Sequence, residues 1–247
     1  MNVLIVHAHN EPGSFTAAMK NLAVVVLSEE GHEVRVSDLY AQRFNPVASA
    51  ADFGSRANQE YLVYALEQRH NLQKATLAED IQAELEKLQW ADLVIFSFPI
   101  YWFGMPAILK GWIDRVFVSG LCYGGRRIYD RGGLKGKRAM LAFTLGGQSH
   151  MFGKGCVHGE IETLLRPIQQ GMLAYVGLEV LPPFIAYHVP YISETERWDY
   201  LTSYGEHLLT LDAREPLVFP SLDDFDTALR PRSDGARGAS ESPECLP

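Results

Sequence analysis

Residues 93–117 read LVIFSFPIYWFGMPAILKGWIDRVF, and this stretch decides the fold. Leu93 to Phe98 is an almost wholly apolar run rich in β-formers. Such a run suits a strand buried on both faces of a parallel sheet. Pro99 ends it, since proline cannot donate to a ladder. Tyr101, Trp102 and Phe103 follow in a turn. Pro106 sits where a first helical turn tolerates it. Ile108, Leu109, Trp112, Ile113, Val116 and Phe117 then repeat at helical spacing. An aromatic loop therefore joins the carboxyl end of a buried strand to a helix, the place where open α/β sheets bind ligands. Each aromatic taken alone reads equally well as core. Three together in a tight turn are hard to bury, which favours a platform for a flat ligand.

Working outward, Asn2–Val6 is a second buried-type strand, and Ser14 caps a helix that starts near Phe15 and stops at Gly31. A strand, a loop and a capped helix make an anion site, because free backbone N–H groups and the helix dipole face the ligand. His9 lies in that loop, either satisfied by backbone or beside a phosphate. The stretch is neither a G-x-G-x-x-G fingerprint nor a Walker loop. Glu33–Asp38 reads as a strand. Residues 39–78 form a long irregular connection with one helix near 59–69, a length usual for a functional segment or a cover over a site. A helix over 79–90 leads to the central strand.

Lys137–Thr144 reads as the next strand, ending in Leu145-Gly146-Gly147, where missing side chains let a ring lie against backbone N–H groups. The run 153–159 approaches a dinucleotide motif and is set aside, because its sixth position is His158 and the residues before it are loop. A helix over 160–175, a strand over 179–185 and a helix over 194–211 complete the alternation. Five strands alternating with helices imply a doubly wound parallel sheet with helices on both faces. The domain is expected to span residues 1–220. Residues 221–247 form a C-terminal extension, and its end from Pro231 is poor in apolar residues and expected to be flexible.

The chain has 247 residues, enough for one large α/β domain. A formal charge of −8 with dispersed acids gives neither a nucleic-acid footprint nor a polybasic membrane patch. Cys122, Cys156 and Cys245 show no metal spacing and no disulfide framework, so a reduced cytoplasmic setting is the reading and no metal is expected. The chain enters a strand at once, so no signal peptide is expected. No apolar run approaches the roughly 20 residues of a membrane span.

The combined motifs resemble the flavodoxin-like NAD(P)H:quinone oxidoreductases of the DT-diaphorase type. The matching blocks are VLIVHAHNEPGSF at 3–15, SDLYAQRFNP at 37–46, ADLVIFSFPIYWFGMPAILKGWIDRVF at 91–117, the Gly146-Gly147 pair with HGE at 158–160, and RPIQQGMLAYVG at 166–177. The resemblance implies a flavodoxin-like five-stranded sheet, a homodimer, and FAD as cofactor with NADH or NADPH as donor and a quinone as acceptor. Shorter relatives carry FMN. The long 39–78 segment and the C-terminal region resemble the larger, FAD-binding branch.

By that resemblance His9, Phe15 and Thr16 meet the pyrophosphate end of FAD, where Ser14, the cap of the anion-site helix, is read as cofactor-binding too. Ile100, Tyr101, Trp102 and Phe103 pack on the isoalloxazine, as do Thr144, Leu145, Gly146 and Gly147. Arg197 corresponds to an arginine near the adenosine. The quinone pocket takes in Phe103, Tyr123, Gly125, Phe152 and His158. His158 matches the catalytic histidine, whose tyrosine partner falls on Phe152, which has no hydroxyl, and a second pocket tyrosine falls on Gly125. His158 is the titratable candidate to donate near the flavin edge where negative charge gathers. The bland reading is that it caps the next helix. Two rival functions are a regulatory flavoprotein subunit of a potassium-efflux transporter and a one-electron carrier of flavodoxin type. The latter group lacks the His158 loop and the long insertion.

Overall fold

The computed structural model describes residues 1–232. The end of the C-terminal extension, 233–247, lies outside the described residues. Six helices are numbered in chain order: α1 Phe15–Glu29, α2 Tyr64–Lys74, α3 Glu79–Trp90, α4 Ala107–Val116, α5 Ile161–Ile168 and α6 Glu194–Leu209. The strands are β1 Asn2–His7, β2 Glu33–Asp38, β3 Leu93–Pro99, β4 Arg138–Thr144, β5 Glu179–Val180 and β6 Phe184–Ala186. Every strand pair is parallel, in the order β2-β1-β3-β4-β5, with β6 also beside β4. This is the flavodoxin-like order, whose direction reverses between β1 and β3 and opens a crevice at their carboxyl ends.

Strand pleating sends alternate residues to opposite faces. Val3, Ile5, Leu93 and Ile95 pack with Met19, Ala23 and Leu27 of α1 and with Tyr204 and Leu208 of α6. Leu4, Val6, Val94 and Phe96 pack on the other face with α3, α4 and the segment after α5. A run that is apolar at every position is what two covered faces require.

Several boundaries differ from the sequence reading. The strand expected at 179–185 is two short pieces, because Pro182 and Pro183 cannot donate to the ladder. The helix expected over 160–175 ends at Ile168, just after Pro167, and continues as a π turn over Gln169–Leu173. A proline inside a helix removes one N–H and crowds the preceding turn. The helix expected near 59–69 lies at 64–74. Pro106 is the residue before α4 rather than part of its first turn.

The 39–78 segment is stapled to the domain by buried charge. Arg115 and Asp52 are each 2% exposed and pair at 2.8 Å. Arg115 also pairs with Asp80 and donates to the Asn45 carbonyl at 2.7 Å, while the Tyr64 hydroxyl donates to Asp52. The chain crosses α4 so closely at Pro46 that a Cβ on Gly111 would stand 2.2 Å from its carbonyl oxygen. Residues after α6 fasten along the sheet edge. Leu217 N–H donates to the Val180 carbonyl, and Asp130 accepts from Ser221 and Leu222. Among the described residues no helix is long and apolar enough to cross a membrane.

Candidate active site

The loops after β1, β3, β4 and β6 meet at the carboxyl edge of the sheet. Beneath them lies a buried pair, His7 Nδ1 and Ser97 Oγ, 3.0 Å apart. Burial pushes His7 down to about 4, against the pull of Asp38. In the loop above, His9 Nδ1 accepts from the Glu11 N–H at 3.0 Å. Burial lowers His9 too, with Glu11 acting the other way. Ser14 spends its oxygen on the cap, accepting from Ala17 N–H at 3.1 Å. The N–H groups of Phe15 and Thr16, which open α1, find no partner among the described residues. Thr16 Oγ1 meets Thr144 Oγ1 at 2.9 Å, tying this anion-type end to the end of β4.

The aromatic turn is tight. Tyr101 and Gly104 exchange backbone hydrogen bonds of 3.0 and 2.9 Å. Trp102 and Phe103 between them stand at φ +50° and +57°, both left-handed. A two-residue turn of this twist needs positive φ at both central positions and ordinarily uses glycine or asparagine. Trp102 is 97% exposed. Two bulky aromatics held in a disfavoured conformation, one wholly in solvent, point to function rather than packing.

Beside this turn lies a cavity of about 230 Å³. Ile100, Trp102 and Phe103 form one wall and Leu145, Gly146 and Gly147 another. Phe152 and His158 close a third side, with Ile161, Leu164 and Leu165 of α5 behind them. The His158 ring lies 5.3 Å from Phe103 and 5.1 Å from Phe152. Its backbone N–H donates to the Met151 carbonyl at 3.0 Å. No side chain caps α5, so His158 does not serve there.

The structure thus gathers Ile100, Trp102, Phe103, Leu145, Gly146, Gly147, Phe152 and His158 around one space. Tyr101 flanks it on the turn. Tyr123 and Gly125 do not join them within one chain. Tyr123 packs on Tyr175 at 5.9 Å and lines a separate cavity with α4 residues. The reason is anchoring, since Arg69 and Gln68 of α2 hold Ser119 and draw that loop to the α4 side. Gly125 stands at φ +56° with open space where a Cβ would be. Arg197 is a partly buried residue of α6 and lines neither cavity.

The sequence reading missed Ile161, Leu164 and Leu165, whose apolar spacing in α5 was visible but not assignable to a wall. It also missed Tyr187 and His188 after β6. Tyr187 packs on Phe152 with ring centroids 5.7 Å apart and the rings tilted at 52°. The visible signal was a polar pair between a strand end and Pro190.

A profile for the flavodoxin-like fold matches residues 1–208. The ribosyldihydronicotinamide dehydrogenase [quinone] of Pongo abelii is 44% identical over 216 residues, covering 87% of this chain and 94% of that protein. NAD(P)H dehydrogenase [quinone] 1 of Rattus norvegicus is 42% identical, covering 90% and 82%. A structure from Klebsiella pneumoniae, assigned as a quinone reductase, superposes with a TM-score of 0.92 at 41% identity, covering 98% of each chain. None of these three is named as a transporter subunit. By the matched profile and by identity over most of its length, the chain belongs to the flavodoxin-like family of NAD(P)H:quinone oxidoreductases.

Proposed function

We propose that the chain is an FAD-dependent NAD(P)H:quinone oxidoreductase working by a ping-pong mechanism. One observation carries this reading: a cavity walled on one side by solvent-exposed aromatics and on the other by a glycine pair, with His158 at its edge. The residues fit a flavin. The aromatic wall suits a flat ring, the Gly146 and Gly147 N–H groups are free among the described residues, and the opening of α1 suits a phosphate. A flavin held there would accept hydride from a reduced nicotinamide and deliver it to a quinone.

The chain's own residues then have separable tasks. Trp102 and Phe103 orient and cover the flat rings, excluding water from one face. Glycine N–H groups hold the polar edge where negative charge develops. His158 supplies or holds a proton at that edge, without the hydroxyl a tyrosine at 152 would add. One aromatic cavity serving both ligands favours donor and acceptor in turn rather than together. FAD is favoured over FMN by the long 39–78 segment and the C-terminal strap. A homodimer is favoured by the exposed Tyr61, Leu62, Val63 and Leu66, apolar surface that a second copy would cover. In such a dimer the Tyr123 loop of one copy would reach the cavity of the other.

The relatives' names divide on the donor, so the test includes three. Denatured protein should release FAD by chromatography, and release of FMN alone would move it to the shorter branch. Initial rates with NADH, NADPH or ribosyldihydronicotinamide against a soluble quinone should give parallel double-reciprocal lines. Intersecting lines would overturn the ping-pong assignment, and no turnover with any donor would overturn the enzyme reading.

A further inference from the structure

We infer that His188 is a positioning residue that locks the Gly146–Gly147 peptide so that the Gly147 N–H faces the aromatic cavity. The inference rests on the flavin reading above and extends it to a residue outside the cavity wall. Glycine has the widest backbone freedom, and an unheld Gly-Gly peptide samples both orientations. In a trans peptide the carbonyl and the N–H point opposite ways. Fixing one therefore aims the other.

His188 makes three contacts with three successive residues. Its Nδ1 lies 2.9 Å from the Gly146 carbonyl oxygen. Its backbone N–H donates to the Gly147 carbonyl at 2.9 Å. Its Nε2 lies 3.3 Å from Gln148 Nε2. A carbonyl only accepts, so Nδ1 carries the proton, and Nε2 is left to accept from the Gln148 amide. The clamp is itself anchored. The next N–H, of Val189, donates to the Leu145 carbonyl at 3.2 Å, and the His188 ring rests on Tyr191 at 5.0 Å.

His188 stands at φ +58°, left-handed, in the short connection between β6 and α6. Histidine visits this region more readily than most residues, but at a cost. That conformation is kept while its ring and its N–H both reach the glycine pair. The two sides of the peptide differ as well. His188 and Gln148 line a polar cavity of about 470 Å³ that is distinct from the aromatic one. Gly146 and Gly147 line the aromatic cavity. The Gly146–Gly147 peptide is the partition, its carbonyl claimed from the polar side. Its N–H, with no protein partner among the described residues, is left to the other. A donor oriented before the ligand arrives avoids the ordering cost at binding.

The test uses His188→Ala, His188→Asn and His188→Gly, each measured for FAD affinity by fluorescence titration of the flavin-stripped protein and for the midpoint potential of the reloaded protein. Alanine should weaken FAD binding about tenfold and shift the potential to more negative values, because the developing negative charge loses an aligned donor. Asparagine tolerates the left-handed backbone and places an amide N–H near the position of Nδ1, so it should return both readouts close to wild type. Glycine relieves the backbone but lacks the ring, so it should behave as alanine does. Unchanged affinity and potential in His188→Ala would overturn the inference. So would wild-type behaviour in His188→Gly, which would assign the effect to backbone conformation alone. Wild-type protein that takes up no flavin would instead refute the flavin reading itself. Should the alanine variant not fold, the contrast between asparagine and glycine decides the question.

Discussion

Replacing Trp102 with glycine should stabilise the flavin-free protein while weakening its hold on flavin. Trp102 is 97% exposed, so truncation forfeits almost no burial in the folded chain. Its φ of +50° places it where a side chain costs roughly 1–2 kcal/mol. Glycine removes that strain but costs about 0.5–1 kcal/mol through the freer unfolded chain. The net gain is up to about 1.5 kcal/mol, which for a chain of this size raises Tm by up to about 6 °C. Flavin binding moves the opposite way. A tryptophan carries roughly 150–250 Å² of surface. Covering half of it at about 25 cal/mol per Å² is worth about 2.5 kcal/mol. Affinity for FAD should therefore fall between ten- and a hundredfold. Differential scanning fluorimetry of the stripped protein and fluorescence titration with FAD measure the two effects separately. A lower Tm in the stripped variant would refute the strain assignment. An unchanged FAD affinity would refute the platform.

Three further outcomes are expected. Arg115→Met leaves Asp52 buried without its counter-charge and should cost about 3–5 kcal/mol in urea unfolding, partly recovered by adding Asp52→Asn. His7 falls from an ordinary 6.5 to about 4 in the folded chain because burial disfavours its charged form. The folded state then binds fewer protons than the unfolded one between those values. Its stability contribution is present above pH 6.5 and is lost as pH falls toward 4, by about 3 kcal/mol in all. Urea midpoints at stepped pH should show this loss in wild type and a shallower one in His7→Asn. His158→Ala should slow flavin reduction in stopped flow by roughly 10²-fold with little change in nicotinamide binding. Phe152→Tyr should equal or exceed wild type, and its effect should vanish when His158 is alanine.

The sheet was legible because its central strands, β1, β3 and β4, are buried on both faces, and a continuous apolar run such as 93–98 has few other homes in a chain of this length. The cap at Ser14 was legible because it depends only on neighbours in sequence. What stayed hidden were features set by tertiary partners. The Asp52–Arg115–Asp80 network joins residues up to 63 positions apart, and nothing local marks Arg115 as buried. The split of the last strand was foreshadowed by Pro182-Pro183, but β4 alone determines that both pieces pair. In the site, Trp102 and Phe103 were visible as a cluster, whereas their left-handed turn was not, since neither residue favours it. Tyr123 and Gly125 were placed with His158 by resemblance. Their loop is anchored elsewhere in the chain, and the dimer is the proposed way to reunite them. His188 was marked only by standing with Tyr187 between a strand end and Pro190, and its role exists only once β6 lies beside β4.

Anaerobic sequential mixing tests the central claim most directly. Purified protein mixed first with NADH or NADPH should lose the visible absorbance of its bound flavin in a single exponential phase, with no acceptor present. A soluble quinone added in the second mix, after the nicotinamide is spent, should restore that absorbance in full. Protein that carries no flavin, or whose flavin bleaches and is not restored by any quinone, would contradict the assignment of this site to quinone reduction.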